Sequence, residues 1–281
     1  MCFNSSAGGD CAFELAFEPA FELVALRLRF TARQSLHFPP GESANLLRGR
    51  LGKALMEASA ADYARLFAPR REYGPSGLRD PPRPFVLRVA HLEGAHVPAG
   101  GGFEIGVNLF DTRVAATNSM SAAVRAAMGG DLIEATVRPL RLSLGPYARP
   151  VHCVRVQFVT PTELKNAPST SGPEFGVLFA RIRDRVSALR SVYGAGPLPI
   201  DFRGMGRGAK TVRMTRSNVQ LIEAQRLSRN TGLRHPLGGF IGVAEYQGEL
   251  AEFVPYLEAA RWTGLGRQTV WGKGEIDWEE I

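Results

Sequence analysis

The chain has 281 residues, 44% of them hydrophobic and 22% charged, with a formal net charge of +7 and a pI near 9.7. Those proportions are ordinary for a globular protein and exclude a disordered or collagen-like chain. No stretch approaches the roughly 18 consecutive apolar residues of a membrane span, and the positive excess points to a polyanionic partner.

The only cysteines, Cys2, Cys11 and Cys153, are far from Cys-x-x-Cys spacing, and no two of the five histidines stand at i, i+4. A disulfide framework, a metal site and a cofactor are therefore not expected. Thirty of the 34 basic residues are Arg, whose planar fork suits phosphate and base recognition, although a GC-rich genome produces the same bias. Between Asp201 and Arg234 eight basic residues face only two acidic ones, which is either a nucleic-acid contact or a solvated face.

The N-terminus repeats Ala-Phe-Glu three times from Ala12, and those glutamates rule out a signal-peptide core. Residues 1–20 are expected to be a loose segment of a cytoplasmic protein. Alternation of Leu26, Leu28 and Phe30 against Arg27, Arg29 and Thr31 predicts a first strand. After Pro39-Pro40-Gly41 a helix is predicted near Ser43, read as its N-cap, with Leu47, Leu51, Ala54 and Leu55 as an apolar stripe. Residues 68–84, rich in Pro, Gly and Arg, read as a loop. Strands are predicted at 85–90 and 102–110, a helix at 119–128 and a strand at 133–144. This is the ferredoxin-like order, in an N-terminal domain of residues 21–148.

The pattern restarts after residues 146–150, opening a C-terminal domain of residues 149–281. Val154, Val156 and Phe158 predict a strand, and Phe175, Leu178, Phe179, Ile182, Val186 and Leu189 a helix. Strands are expected at 211–214, 219–223 and 239–246. A helix follows over 249–261, acceptable for Pro255 if it begins near Glu252, and a last strand at 275–278. The fold class is α+β, with two ferredoxin-like domains in tandem.

The loop between the last helix and strand carries most information: Gly264, Gly266, Gly272 and Gly274 flank Arg267 and Lys273. Such a loop can bring backbone N–H groups and cations to a phosphate chain, or be a turn with incidental glycines. It is neither a dinucleotide fingerprint nor a Walker loop. The stretch at 206–211 only superficially looks like a Walker loop, since a strand is expected after it.

This loop resembles the C-terminal signature of the RAMP superfamily, and the chain is similar to the CRISPR-associated RAMP endoribonucleases that process precursor CRISPR RNA. Leu46-Leu47-Arg48-Gly49-Arg50-Leu51-Gly52, Gly74-Pro75-Ser76-Gly77-Leu78, Val159-Thr160-Pro161-Thr162-Glu163 and Gly238-Gly239-Phe240-Ile241-Gly242 carry the same resemblance. It implies recognition of CRISPR repeat RNA and one metal-independent cut by the ribose 2′-hydroxyl. It also admits a homodimer and effector-complex subunits as partners.

Such a reaction needs proton transfer and cations for the phosphorane charge. His37, between the first strand and first helix, leads as a catalytic candidate, against a turn histidine. His235 follows, beside the basic segment. His152 reads as a core or sheet-end residue, and His91 and His96 carry no evident partners. Lys53 is a candidate for transition-state charge, against an i, i+4 pair with Glu57. Arg48, Arg50, Arg213, Arg216, Arg267 and Lys273, with Gly264, Gly266, Gly272 and Gly274, are the expected RNA-binding residues. The competing reading is a non-catalytic RAMP subunit that holds CRISPR RNA inside an interference complex.

Overall fold

The structure, a computed structural model, describes residues 19–69, 81–113, 116–165, 171–223 and 238–281, and the backbone alone of 225–227 and 234–236. In chain order the first half holds β1 (Ala20–Ala32), β2 (Leu36–His37), α1 (Ser43–Ala58), α2 (Ala60–Phe67), β3 (Phe85–Arg88), β4 (His96–Val97), β5 (Gly102–Leu109), α3 (Thr117–Ala127) and β6 (Gly130–Ser143). The second half holds β7 (Cys153–Thr162), α4 (Phe175–Tyr193), α5 (Phe202–Ala209), β8 (Arg213–Ile222), β9 (Gln225–Leu227), β10 (Arg234–Pro236), β11 (Gly239–Gln247), α6 (Val254–Thr263) and β12 (Ile276–Glu280).

The strands form two antiparallel four-stranded sheets, ordered β3-β5-β1-β6 and β12-β7-β11-β8, with small pairs β2-β4 and β9-β10 beside them. Numbered within each half, both sheets run 4-1-3-2, the ferredoxin-like order. The alternation read on β1 places Leu26, Leu28 and Phe30, each at most 1% exposed, in a core with Leu47, Leu51 and Leu55 of α1 and Met120 of α3. Each such side chain removed from water contributes about 1.5–3 kcal/mol.

The opposite parity of the first sheet is also covered. Phe21 and Leu23 of β1, Val86 of β3 and Phe110 join Leu178, Ile182 and Leu189 of α4 and Leu257 of α6 in a second core, which continues into Val154, Val156 and Phe158 of β7. Helices α4 and α6 thus lie between the two sheets, and the halves share one continuous apolar layer.

Several sequence expectations are corrected. The two strands expected at 211–214 and 219–223 are the single β8, with a register shift opposite Glu245/Tyr246 accommodating an extra residue. Helix α5 precedes it, where the sequence reading places no element: glycines 204, 206 and 208 hide a helical turn pattern, and Asp201 caps it through Arg203 N–H at 3.0 Å. Helix α2 was likewise unread; Ser59 starts it by accepting from Asp62 N–H at 3.2 Å. Ser43 does not cap α1, because its hydroxyl lies 3.0 Å from Pro39 O and 3.1 Å from Glu93 Oε2. Of the two readings of His152, core or sheet end, the second holds: it sits exposed at the end of β7, its Nδ1 3.4 Å from Glu249. Pro255 falls in the first turn of α6, where it costs no internal hydrogen bond.

Candidate functional site

The C-terminal loop is where the halves meet most closely. Its backbone takes positive φ at Gly264, Gly266, Gly272 and Gly274, and at Gln268. A Cβ on Gly274 would stand 1.8 Å from Leu265 O, one on Gly266 2.4 Å from Glu163 O, and one on Gly272 2.5 Å from the Ala44 Cβ of α1. The loop is folded onto itself and onto β7: Leu265 N–H donates to Gly274 O, Arg267 N–H to Glu163 O and Gly274 N–H to Pro161 O. The glycines therefore serve close backbone packing, and several N–H groups expected to be bare are already bonded.

Between those glycines Val270, 5% exposed, inserts into the core of the first half, and Trp271 packs beside it. The Arg48 guanidinium of α1 lies over the Trp271 ring at 4.6 Å and over Phe67 of α2 at 5.3 Å, a cation held between two aromatic faces. Lys273 follows, buried, and burial pulls its ammonium below the usual lysine range while Glu93 pushes it partly back. The same Glu93 carboxylate accepts from Gly41 N–H at 2.5 Å at the start of α1, where the helix dipole favours negative charge. Glu93 thereby ties the loop to the α1 N-terminus.

His37 lies on β2, the strand leading to that N-terminus, and is exposed. Across the β2-β4 pair its register partner is His96, and their rings stack with centroids 4.2 Å apart at 28°. The reading that His96 has no partner is corrected, because the pairing joins segments about sixty residues apart. His91 is placed by its Nε2, 3.1 Å from Glu104 O.

Lys53 is 81% exposed and 3.9 Å from Glu57, the helix pair of the plainer reading, and Arg50 is exposed beside it. Arg267 pairs with Glu163 at 2.8 Å. Arg213 and Arg216 stand on β8, the edge of the second sheet, near Gln247 at 3.5 Å and Glu245 at 3.9 Å; among the described residues no contact joins them to His37. The backbone of His235 lies in β10, paired with Arg226, and its side chain is outside the described residues. Structure brings together Lys273, Arg48 and the entry to α1, and adds Glu93, His96 and Trp271.

A polar clamp fixes where the loop begins. The last carbonyls of α6 accept from three directions: Arg88 of β3 donates to Arg261 O, Asn108 of β5 to Trp262 O at 2.8 Å, and Arg185 of α4 to Thr263 O at 3.0 Å. Arg88 also pairs with Glu275, just past the loop, at 3.2 Å. Burial, then the neighbouring Arg88 charge, pulls Arg185 down to about 9.

No curated protein matches the sequence. The family described as CRISPR-associated endoribonuclease Cas6 matches residues 156–276, which include β7 to α6 and the glycine-rich loop. A Cas6 product complex is similar in fold with a TM-score of 0.58, at 15% identity over 92% of this chain and 100% of that one. Cas6 of Thermus thermophilus gives 0.56, at 15% identity over 93% and 99%. A partial Cas6-RT-Cas1-Cas2 complex gives 0.58, at 9% identity over 94% of this chain and 47% of that one. Among the described residues no helix is long and apolar enough to cross a membrane. The chain is thus similar to the Cas6 family over residues 156–276 and shares the fold of Cas6 structures across both sheets.

Proposed function

We propose that the chain cuts CRISPR repeat RNA in the precursor transcript without a metal ion. The ribose 2′-oxygen attacks the adjacent phosphorus and the bond to the 5′-oxygen breaks. One proton leaves the 2′-hydroxyl and one reaches the departing oxygen, giving a 2′,3′-cyclic phosphate and a 5′-hydroxyl. His37 is the proton-transfer group in this reading, since an exposed imidazole can both accept and donate a proton. Lys273 and Arg48 hold positive charge on the same side of α1 for the phosphate path. Lys53 reaches RNA from the solvent face of α1, and Arg213 and Arg216 extend the basic surface along β8.

The observation that carries the reading is the convergence of the glycine-rich loop on the N-terminal end of α1, directly after the strand that bears His37. The Cas6 product complex and the Cas6-RT-Cas1-Cas2 complex among similar folds support repeat RNA as substrate and CRISPR assemblies as partners. The test is incubation with end-labelled repeat RNA in EDTA, beside His37→Ala and a substrate with 2′-deoxyribose at the cut. A single cut that survives EDTA and is lost with the deoxy substrate and the variant is the expected result. Binding without a cut would move the protein to the non-catalytic subunit class, and loss in EDTA would end the metal-free mechanism.

A further inference from the structure

Helix α1 carries two interior glycines, and they differ. A Cβ on Gly52 would meet the Phe67 ring at 3.0 Å, so the packing of α2 requires glycine there. A Cβ on Gly49 would meet nothing within 4 Å. Glycine costs helix stability relative to alanine, and no neighbour among the described residues asks for it at 49. The space it leaves is part of an open cleft of about 340 Å³ between α1 and α2.

The chemistry of that cleft is specific. One wall is Tyr63 and Phe67, their rings stacked at 5.4 Å and 11°. Arg48 lies over the Phe67 ring, backed by Trp271 of the glycine-rich loop. Lys53 stands at the rim beside Met56, which is 45% exposed, and Glu57 only partly offsets the lysine. The Tyr63 ring with buried Phe67 behind it, an exposed thioether and two cations around a gap are what an unpaired base with its phosphate requires: stacking for the ring, charge for the backbone. A duplex offers no such free base.

We infer that the α1-α2 cleft is a subsite for one unpaired nucleotide of the RNA, its base against Tyr63 and its phosphate toward Lys53, with Gly49 kept small to admit it. This rests on the RNA reading above and deepens it, since it gives the substrate a single-stranded nucleotide at a defined place.

The experiment measures binding of fluorescein-labelled repeat RNA by anisotropy, with thermal unfolding on the same samples. Gly49→Leu places a side chain in the cleft, its Cβ more than 4 Å from any described neighbour; Tm is expected to hold or rise while Kd increases about tenfold, the size of one stacked base lost. Tyr63→Ala is expected to weaken binding similarly and Tyr63→Phe to restore it. A set of repeats with single abasic sites then locates the nucleotide: one site weakens the wild type and has no further effect in Gly49→Leu. The inference is overturned if Gly49→Leu, folded, binds within twofold of the wild type, or if every abasic site weakens both proteins alike. A wild type that binds no repeat RNA would remove the RNA reading and this subsite with it.

Discussion

Replacing Arg88 with methionine tests whether the clamp at the α6 C-terminus holds the two halves in register. Arg88 and Glu275 are 10% and 24% exposed in their side chains, so their 3.2 Å pair is largely out of water. Removing one member of a buried pair costs about 3–5 kcal/mol, because the other charge stays behind uncompensated. Here Glu275 would be that charge, and the carbonyl of Arg261 would lose its donor as well. Two effects oppose this: Arg88 lowers the pKa of Arg185 and of Arg27, so its removal relieves like-charge repulsion, and Arg27 also attracts Glu275 and partly compensates it. The upper end of the range is thereby trimmed, and Arg88→Met should destabilise by about 3 kcal/mol. Methionine keeps most of the length and apolar contact, so little of that is packing. In the double variant Arg88→Met/Glu275→Gln no charge is stranded, and the cost should fall below about 1.5 kcal/mol. Urea unfolding at pH 7 measures both, with equal m-values as the check that the same transition is followed. A single variant within about 1 kcal/mol of wild type, or a double as costly as the single, would refute the clamp.

Three further outcomes are expected. Gly274→Ala forces a side chain into a φ of +70° and onto Leu265 O; the strain and the displaced Leu265-Gly274 hydrogen bond should cost about 2–3 kcal/mol, read as a fall in the urea midpoint. Lys273→Met removes an ammonium whose charge burial opposes; stability should hold or rise slightly while single-turnover cleavage slows about 10–100-fold, and an unchanged rate would take Lys273 out of the reaction. Asp62 is held below the usual carboxylate range chiefly by the Ser119 hydroxyl, against a smaller burial effect in the other direction and with help from Arg65. A depressed folded-state pKa gives stability that is full above the unfolded value and is lost as pH falls through the folded one. Asp62→Asn should therefore flatten the acid side of a Tm-against-pH curve below the ordinary aspartate range.

What was legible in the sequence is what local spacing determines. The period of two on β1 and β7 and the three-four spacing on α4 each report one buried face, and the buried residues are those the spacing names. Helix α5 was missed because its three glycines carry no apolar stripe beyond Met205 and Ala209. The break assumed inside β8 came from polar residues at 215–218, but β8 is an edge strand with one face in water, so polarity there says nothing against pairing.

The candidate site was half legible for a different reason. The glycine-rich loop stood out because four glycines close together are rare, yet what each glycine meets is distant in sequence: Glu163 O for Gly266 and Ala44 for Gly272, more than 100 and 200 residues away. Composition shows that the backbone must come close to something; only the fold shows that the something is the chain itself. The same holds for His96, whose ring reaches His37 through a two-residue strand pair with no periodicity to read. Gly49 is the converse. Its motif drew attention to the arginines on either side, and the fold transfers that attention to the glycine, since a helix-interior residue that no described neighbour requires to be small points to a requirement from outside them.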